Sequence, residues 1–220
     1  MERIKIHINQ ELKNRLDSNN KKIFAKAQEE LILKVLYQIY NGDEPIKIIH
    51  LVDKYMNIYL GDLQVVYLNH DDCTFTIEVK SSHVYNSKDK QTLELEHYKD
   101  ENLTKPHNQI KSNGDNKGWF YVNKASCLVS YNRERQRVYL IYDWLDTKKR
   151  LENIITIDKS REYKRINEYL EQIVIKDSYK DRDFGYEVVN KYDLCVTLDL
   201  EHLDKVSNYF DVFDLEFIID

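Results

Sequence analysis

The chain has 220 residues, with 42% hydrophobic and 32% charged residues and a formal net charge of -5. This balance belongs to globular proteins and excludes an intrinsically disordered one. No apolar run approaches the roughly 20 residues that cross a bilayer, the opening MERIKIH lacks the apolar segment of a secretion signal, and Cys73, Cys127 and Cys195 show neither a disulfide framework nor zinc-site spacing. The expected setting is a reducing cytoplasm with no membrane partner.

In chain order, Asn9 to Leu16 reads as a short helix capped by Asn9. From Lys21 to Tyr40, apolar residues recur at Phe24, Ala27, Leu31, Val35 and Ile39, which predicts a long helix with one buried face. Asn41-Gly42 and Pro45 end it. The pattern then turns to period two. Leu63 to Leu68 and Cys73 to Lys80 read as the strands of a hairpin whose turn is Asn69 to Asp72. Further strands are expected at Leu93 to Tyr98, Leu128 to Tyr131, Val138 to Tyr142 and Leu194 to Leu198, and helices at Asn123 to Cys127 and Tyr163 to Ile173. The polar stretch Asn102 to Lys117 has no hydrophobic period and reads as a loop. No linker rich in Gly, Pro or Ser interrupts the chain, so a single domain over residues 1–220 is expected.

The chemistry is concentrated in Gly61 to Ser82, GDLQVVYLNHDDCTFTIEVKSS. Residues two apart on a strand share a face, so Glu78 and Lys80 project together while Val79 points to the core. Asp62 opens the partner strand, and its separation of 78 − 62 = 16 residues from Glu78 suits a hairpin with a four-residue turn. Two carboxylates, with the main-chain carbonyl of Val79, are hard oxygen ligands of the kind Mg²⁺ takes. Lys80 beside them is placed to orient water and stabilise developing negative charge. An E-x-K spacing alone also describes an ion pair on an exposed strand face.

The order of long helix, Asp-led strand and E-x-K strand resembles the PD-(D/E)XK nucleases. Asp62 matches the first acid of their motif, Glu78 the second and Lys80 the lysine. The likeness continues through QTLELEH (Gln91 to His97), GWFYVNKASCLVSY (Gly118 to Tyr131) and VYLIYDW (Val138 to Trp144), similar to small phage and bacterial members. It departs at Ala125-Ser126, where such members often carry Ala-Asp.

The resemblance covers about residues 21–144, with 145–220 as an extension of the same domain. It implies an α/β fold with a mixed central β-sheet flanked by helices, a restriction-endonuclease-like core. The implied activity is divalent-metal-dependent hydrolysis of phosphodiester bonds in DNA, as an endonuclease. Mg²⁺ would be held by Asp62, Glu78 and Val79, and Mn²⁺ can substitute. A glutamate of the first helix often joins that shell in the family, which makes Glu29 the candidate and Glu30 the alternative.

The expected partner is DNA, and a homodimer is compatible with it. A nuclease-fold protein that grips DNA or another protein without cutting, and an RNA-directed nuclease, are the competing readings. Basic stretches at Lys21-Lys22, Arg133 to Arg137 and Lys148 to Arg150 offset the net negative charge as phosphate contacts, or are simply solvated faces. The Asn102 to Lys117 loop, with Lys105, Lys111 and Lys117, is expected beside bound nucleic acid.

His97, next to Glu96, is a candidate for proton transfer if the sheet aligns it. His70, Asp71 and Asp72 read as turn residues. Trp119, Phe120 and Tyr121 read as core packing or as a base-stacking surface.

Overall fold

The computed structural model describes residues 2–40, 46–51, 53–68, 74–99, 117–180 and 188–220. In chain order the elements are β1 (Glu2–Ile8), α1 (Gln10–Leu16), α2 (Lys21–Tyr40), β2 (Ile46–His50), α3 (Lys54–Leu60), β3 (Leu63–Tyr67), β4 (Thr74–Tyr85) and β5 (Lys88–Lys99). They continue with α4 (Trp119–Val122), β6 (Cys127–Asn132), β7 (Arg137–Ile141), α5 (Trp144–Ile154), β8 (Tyr163–Arg165), β9 (Leu170–Lys180), β10 (Val188–Asp199), a 3-10 turn at Leu200–Lys205, and β11 (Phe210–Ile219).

The fold is α/β, built on one large mixed sheet. Its strands run in the order β1-β11-β7-β6-β4-β5-β10-β9-β8, and β3, with β2 beyond it, branches from β4. The pairs β1 with β11 and β4 with β6 are parallel. One face buries Ile4, Ile6, Ile8, Ile77, Val79 and Val129 against α1 and α2, whose Leu12, Leu16, Leu31 and Leu36 are fully covered. The other buries Leu93, Leu95, Leu128 and Ile141 with Phe120 of α4 and Trp144 and Leu151 of α5. The strand β6 is buried at all six positions, as expected for CLVSYN in mid-sheet.

Both N-terminal helices form where the periodicity puts them. Asn9 caps α1 by accepting a 2.8 Å hydrogen bond from the Leu12 N–H. Strands outrun the expectation where their sequence is polar. The strand β4 continues past Lys80 to Tyr85 because Tyr85 pairs with Lys88 across Asn86-Ser87, with φ of 50° and 63°. Two positive-φ residues make the tight hairpin turn whose twist matches the strands.

Two expected helices are corrected. Tyr163 to Ile173 forms β8 and the start of β9, because Asn167 turns the chain by accepting from the N–H groups of Tyr169 (2.9 Å) and Leu170 (2.8 Å). Its apolar residues mimic helical spacing, but β9 finds a full partner in β10. The second, Asn123 to Cys127, is displaced to α4, since Asn123 ends that helix and its Oδ1 accepts from the Ala125 N–H at 2.9 Å. The segment after Leu151 adds β8 to β11 to the same sheet. The turn Asn69 to Asp72, with His70, the cap Asn41-Gly42 with Pro45, and the loop Asn102 to Lys117 except Lys117 lie outside the described residues. No helix among the described residues is long and apolar enough to cross a membrane.

Candidate metal centre

The sheet has a gap at its centre. One edge of β4 pairs with β6 over Ile77 to Ser82. Along the other edge β3 covers Thr74 to Ile77 and β5 covers Ser82 to Tyr85, so Glu78 to Ser81 have neither as a ladder partner. Asp62, just before β3, closes the upper end of this gap.

Gly61 puts it there. The Gly61 φ is +99°, and a Cβ would lie 2.5 Å from the Ile77 carbonyl oxygen, so any side chain would push the turn off β4. The Asp62 N–H then donates to the Ile77 carbonyl at 2.8 Å. Its carboxylate accepts from the Val79 N–H (2.8 Å, Oδ2) and from Asn57 Nδ2 of α3 (3.0 Å, Oδ1). In an extended strand a residue's N–H and C=O face the same edge, so the Val79 carbonyl looks into this gap while its side chain is in the core.

Glu78 and Lys80 project together from the opposite face to Val79. The Glu78 side chain is only 5% exposed, and its Oε1 is ion-paired with Lys80 Nζ. Its Oε2 accepts from Asn123 Nδ2 at 2.7 Å. Lys80 also lies over the Trp119 ring, 5.1 Å from its centroid. Burial, reinforced by the negative charge of Asp62, pushes the Glu78 carboxyl up to about 7 against the opposing effects of Lys80 and Asn123.

Glu29 of α2 joins this field. Its pKa is raised by burial and then by Asp62, with His50, Lys26 and Lys80 acting against it. His50 Nδ1 is 3.6 Å from Glu29 Oε2. Glu30 is instead ion-paired with Arg15, away from this group. The Asp62 charge thus makes ionisation of both Glu29 and Glu78 more costly, an acidic excess that a cation relieves. The donors are carboxylates and one main-chain carbonyl, and a carboxylate oxygen that accepts one hydrogen bond retains a lone pair for a metal. Hard oxygen donors of this kind fit Mg²⁺ or Mn²⁺.

Three positioning residues escaped the sequence reading. Asn57 and Asn123 sit in polar stretches with no period, and Lys148 lies in a basic run that reads as a solvated face. The Lys148 side chain is buried, and Nζ donates to the main-chain carbonyls of Asn123 (2.9 Å) and Tyr121 (3.3 Å), fixing the segment that orients Glu78. Gly118 docks α4 on β5: its N–H donates to the Leu95 carbonyl at 2.7 Å, and a Cβ would meet the Glu94 carbonyl oxygen at 2.2 Å. A strand-to-helix glycine was the available signal.

His97 does not reach this centre. Its Nδ1 lies 2.8 Å from Asp193 Oδ1 and 2.9 Å from Glu94 Oε1, joining β5 to β10. A register shift at Leu194/Cys195 brings Glu94 and His97, three apart, to one face. Trp119 stacks on Trp144 with centroids 6.2 Å apart, and Phe120 is fully buried, so both pack the core. Tyr121 keeps 36% of its surface exposed.

No protein-family model, curated protein or solved structure matches this chain.

Proposed function

We propose that this chain is a divalent-metal-dependent nuclease with a restriction-endonuclease-like core, hydrolysing phosphodiester bonds in DNA. The observation that carries the reading is the convergence of Asp62, Glu78 and Lys80 at the uncovered edge of β4, with Glu29 of α2 near enough to feel the charges of Asp62 and Lys80. A structural ion pair would need only Glu78 and Lys80.

Asp62, Glu78, Glu29 and the Val79 carbonyl would hold Mg²⁺ or Mn²⁺. Such an ion supplies Lewis-acid polarisation of a phosphoryl oxygen and lowers the pKa of a bound water. Asn57 and Asn123 fix the carboxylates of Asp62 and Glu78, so these two donors are preorganised. Lys80, held against Trp119, presents its ammonium beside Glu78, where it orients the attacking water and stabilises negative charge on the phosphoryl oxygens.

The test is incubation with supercoiled, linear, branched and single-stranded DNA and with RNA, each with Mg²⁺, Mn²⁺ or EDTA. Metal-dependent cleavage of DNA is expected. Cleavage of RNA alone would move the substrate class, and tight DNA binding without cleavage under any metal would replace the enzyme with a binding protein.

A further inference from the structure

A cavity of about 450 Å³ opens beside the candidate centre, between the start of α2, the middle of β4 and the β6–β7 turn. Its walls include Lys21, Phe24, Ser81, Ser82, Arg133 and Glu134. We propose that it binds a nucleoside monophosphate unit, with the phosphate on Arg133 and Lys21.

The size is that of a small-ligand site. Arg133 is set in place before any ligand arrives: its guanidinium lies over Phe24, 5.3 Å from the ring centroid, and Nη1 donates to the Ser18 carbonyl at 3.1 Å. That uses one of five donors, and the planar fork suits a phosphate. A wall that holds Arg133, Lys21 and Glu134 favours a ligand that carries an anion together with N–H or O–H donors. A nucleotide has both, the donors being its ribose hydroxyls and exocyclic amines.

One unsatisfied polar group lies behind the cavity wall. Ser81 Oγ donates to Gln28 Oε1 at 2.7 Å, while the buried Gln28 Nε2 has no partner among the described residues. Buried polar groups are nearly always paired, so the Gln28 amide, bonded to a serine that lines the cavity, is an exception that a polar occupant beside it would help to satisfy.

The position gives the ligand two sources. Ser81 and Ser82 directly follow Lys80, and Phe24 lies about one helical turn before Gln28 and Glu29 on α2. A nucleotide here is either a free mononucleotide or a unit of a nucleic-acid strand flanking the candidate centre.

Calorimetric titration in EDTA separates them, using inorganic phosphate, deoxyadenosine, deoxyadenosine monophosphate and a short single-stranded oligonucleotide. Saturable binding of the monophosphate is expected, at least tenfold tighter than deoxyadenosine. Arg133→Gln should weaken it at least tenfold, as should Ala25→Leu, which fills the cavity from an exposed helix position without changing charge. Lys34→Gln, which removes a charge elsewhere on α2, should leave it unchanged, as should the Asp62→Asn, Glu78→Gln double variant. That last result keeps the outcome separate from the cleavage assay. Binding of the oligonucleotide alone, with the same losses, assigns the cavity to a strand. No saturable binding of either nucleotide, or equal binding by folded Ala25→Leu protein, overturns the proposal.

Discussion

Asp199 and Glu78 are both buried carboxylates with lysine partners, and their environments drive them in opposite directions. Burial works to raise the Asp199 pKa, but it ends below the ordinary range because Lys88 Nζ donates at 2.6 Å, the Glu201 N–H at 3.1 Å, and Lys90 adds its charge at 3.8 Å. Glu78 has one lysine and one amide, and it also feels Asp62. The first carboxylate is neutralised by its surroundings and ties β5, β10 and the following turn together. The second is left in an acidic excess at an uncovered strand edge. Two buried Asp/Glu–Lys pairs that look alike in composition thus differ in whether their charge balance is complete.

The largest effect is expected where the Asp199 carboxylate is removed. Asp199→Ala strands Lys90, 4% exposed in its side chain, with only Glu171 at 3.8 Å among the described residues. Removing one partner of a buried charge group typically costs about 3–5 kcal/mol, and urea unfolding should show a loss of that order. A loss below about 1 kcal/mol would place Asp199 among ordinary surface contacts.

At the other carboxylate, function should fall and the fold should remain. Glu78→Gln keeps the size of the side chain and an acceptor for Asn123, and Lys80→Ala removes a partly exposed ammonium. Each should lower DNA cleavage by about 10²–10³-fold or more, with circular dichroism unchanged. Wild-type rates in either variant would remove these residues from the reaction.

The pH dependence sharpens the contrast. In EDTA, Glu78 titrates near 7 in the folded chain against 4.5 for the free group. Between these values the folded state holds a proton that the unfolded state has released, so the Glu78 contribution to stability is greatest below pH 4.5 and declines as pH rises toward 7. The decline is at most roughly 3 kcal/mol, and Glu78→Gln should flatten it. Asp199, with a lowered pKa, contributes the opposite slope, losing stability only as pH falls below its ordinary value of 3.8. A Glu78→Gln profile parallel to the wild-type one through this window would contradict the acidic excess.

Periodicity made α1 and α2 legible, and hairpin spacing was enough to expect Asp62 beside Glu78 and Lys80, because each rests on local sequence. What it missed is held by long-range partners. The polar half of β4 is a strand only because β5 returns along it. Residues Tyr163 to Ile173 carry apolar positions compatible with either period, and only the partnership with β10 decides between them. Asn57 and Asn123 have no pattern to betray them, since an amide becomes a positioning group only when the fold brings a carboxylate to it. The second acidic cluster, Glu94 with His97 and Asp193, depends on a register shift between β5 and β10 that the sequence does not announce.

That second cluster makes the metal response the most discriminating measurement. Its three ligand atoms lie within 4.8 Å of one another, so a cation that raises the melting temperature has two places to act. If Asp62, Glu78 and Glu29 form the site, a ligand that binds only the folded state stabilises it by mass action, about 2.7 kcal/mol at a hundred times its Kd. For a chain of this length that is roughly 5–10 °C. The rise should disappear in Asp62→Asn, Glu78→Gln, which removes both charges and keeps both shapes, and should shrink in Glu29→Gln. It should persist in His97→Gln, because His97 bridges Glu94 and Asp193 and does not reach Glu78. A response that follows His97 and ignores Asp62 and Glu78 would move the metal to the β5–β10 cluster and leave the edge of β4 as an ion pair without a metal.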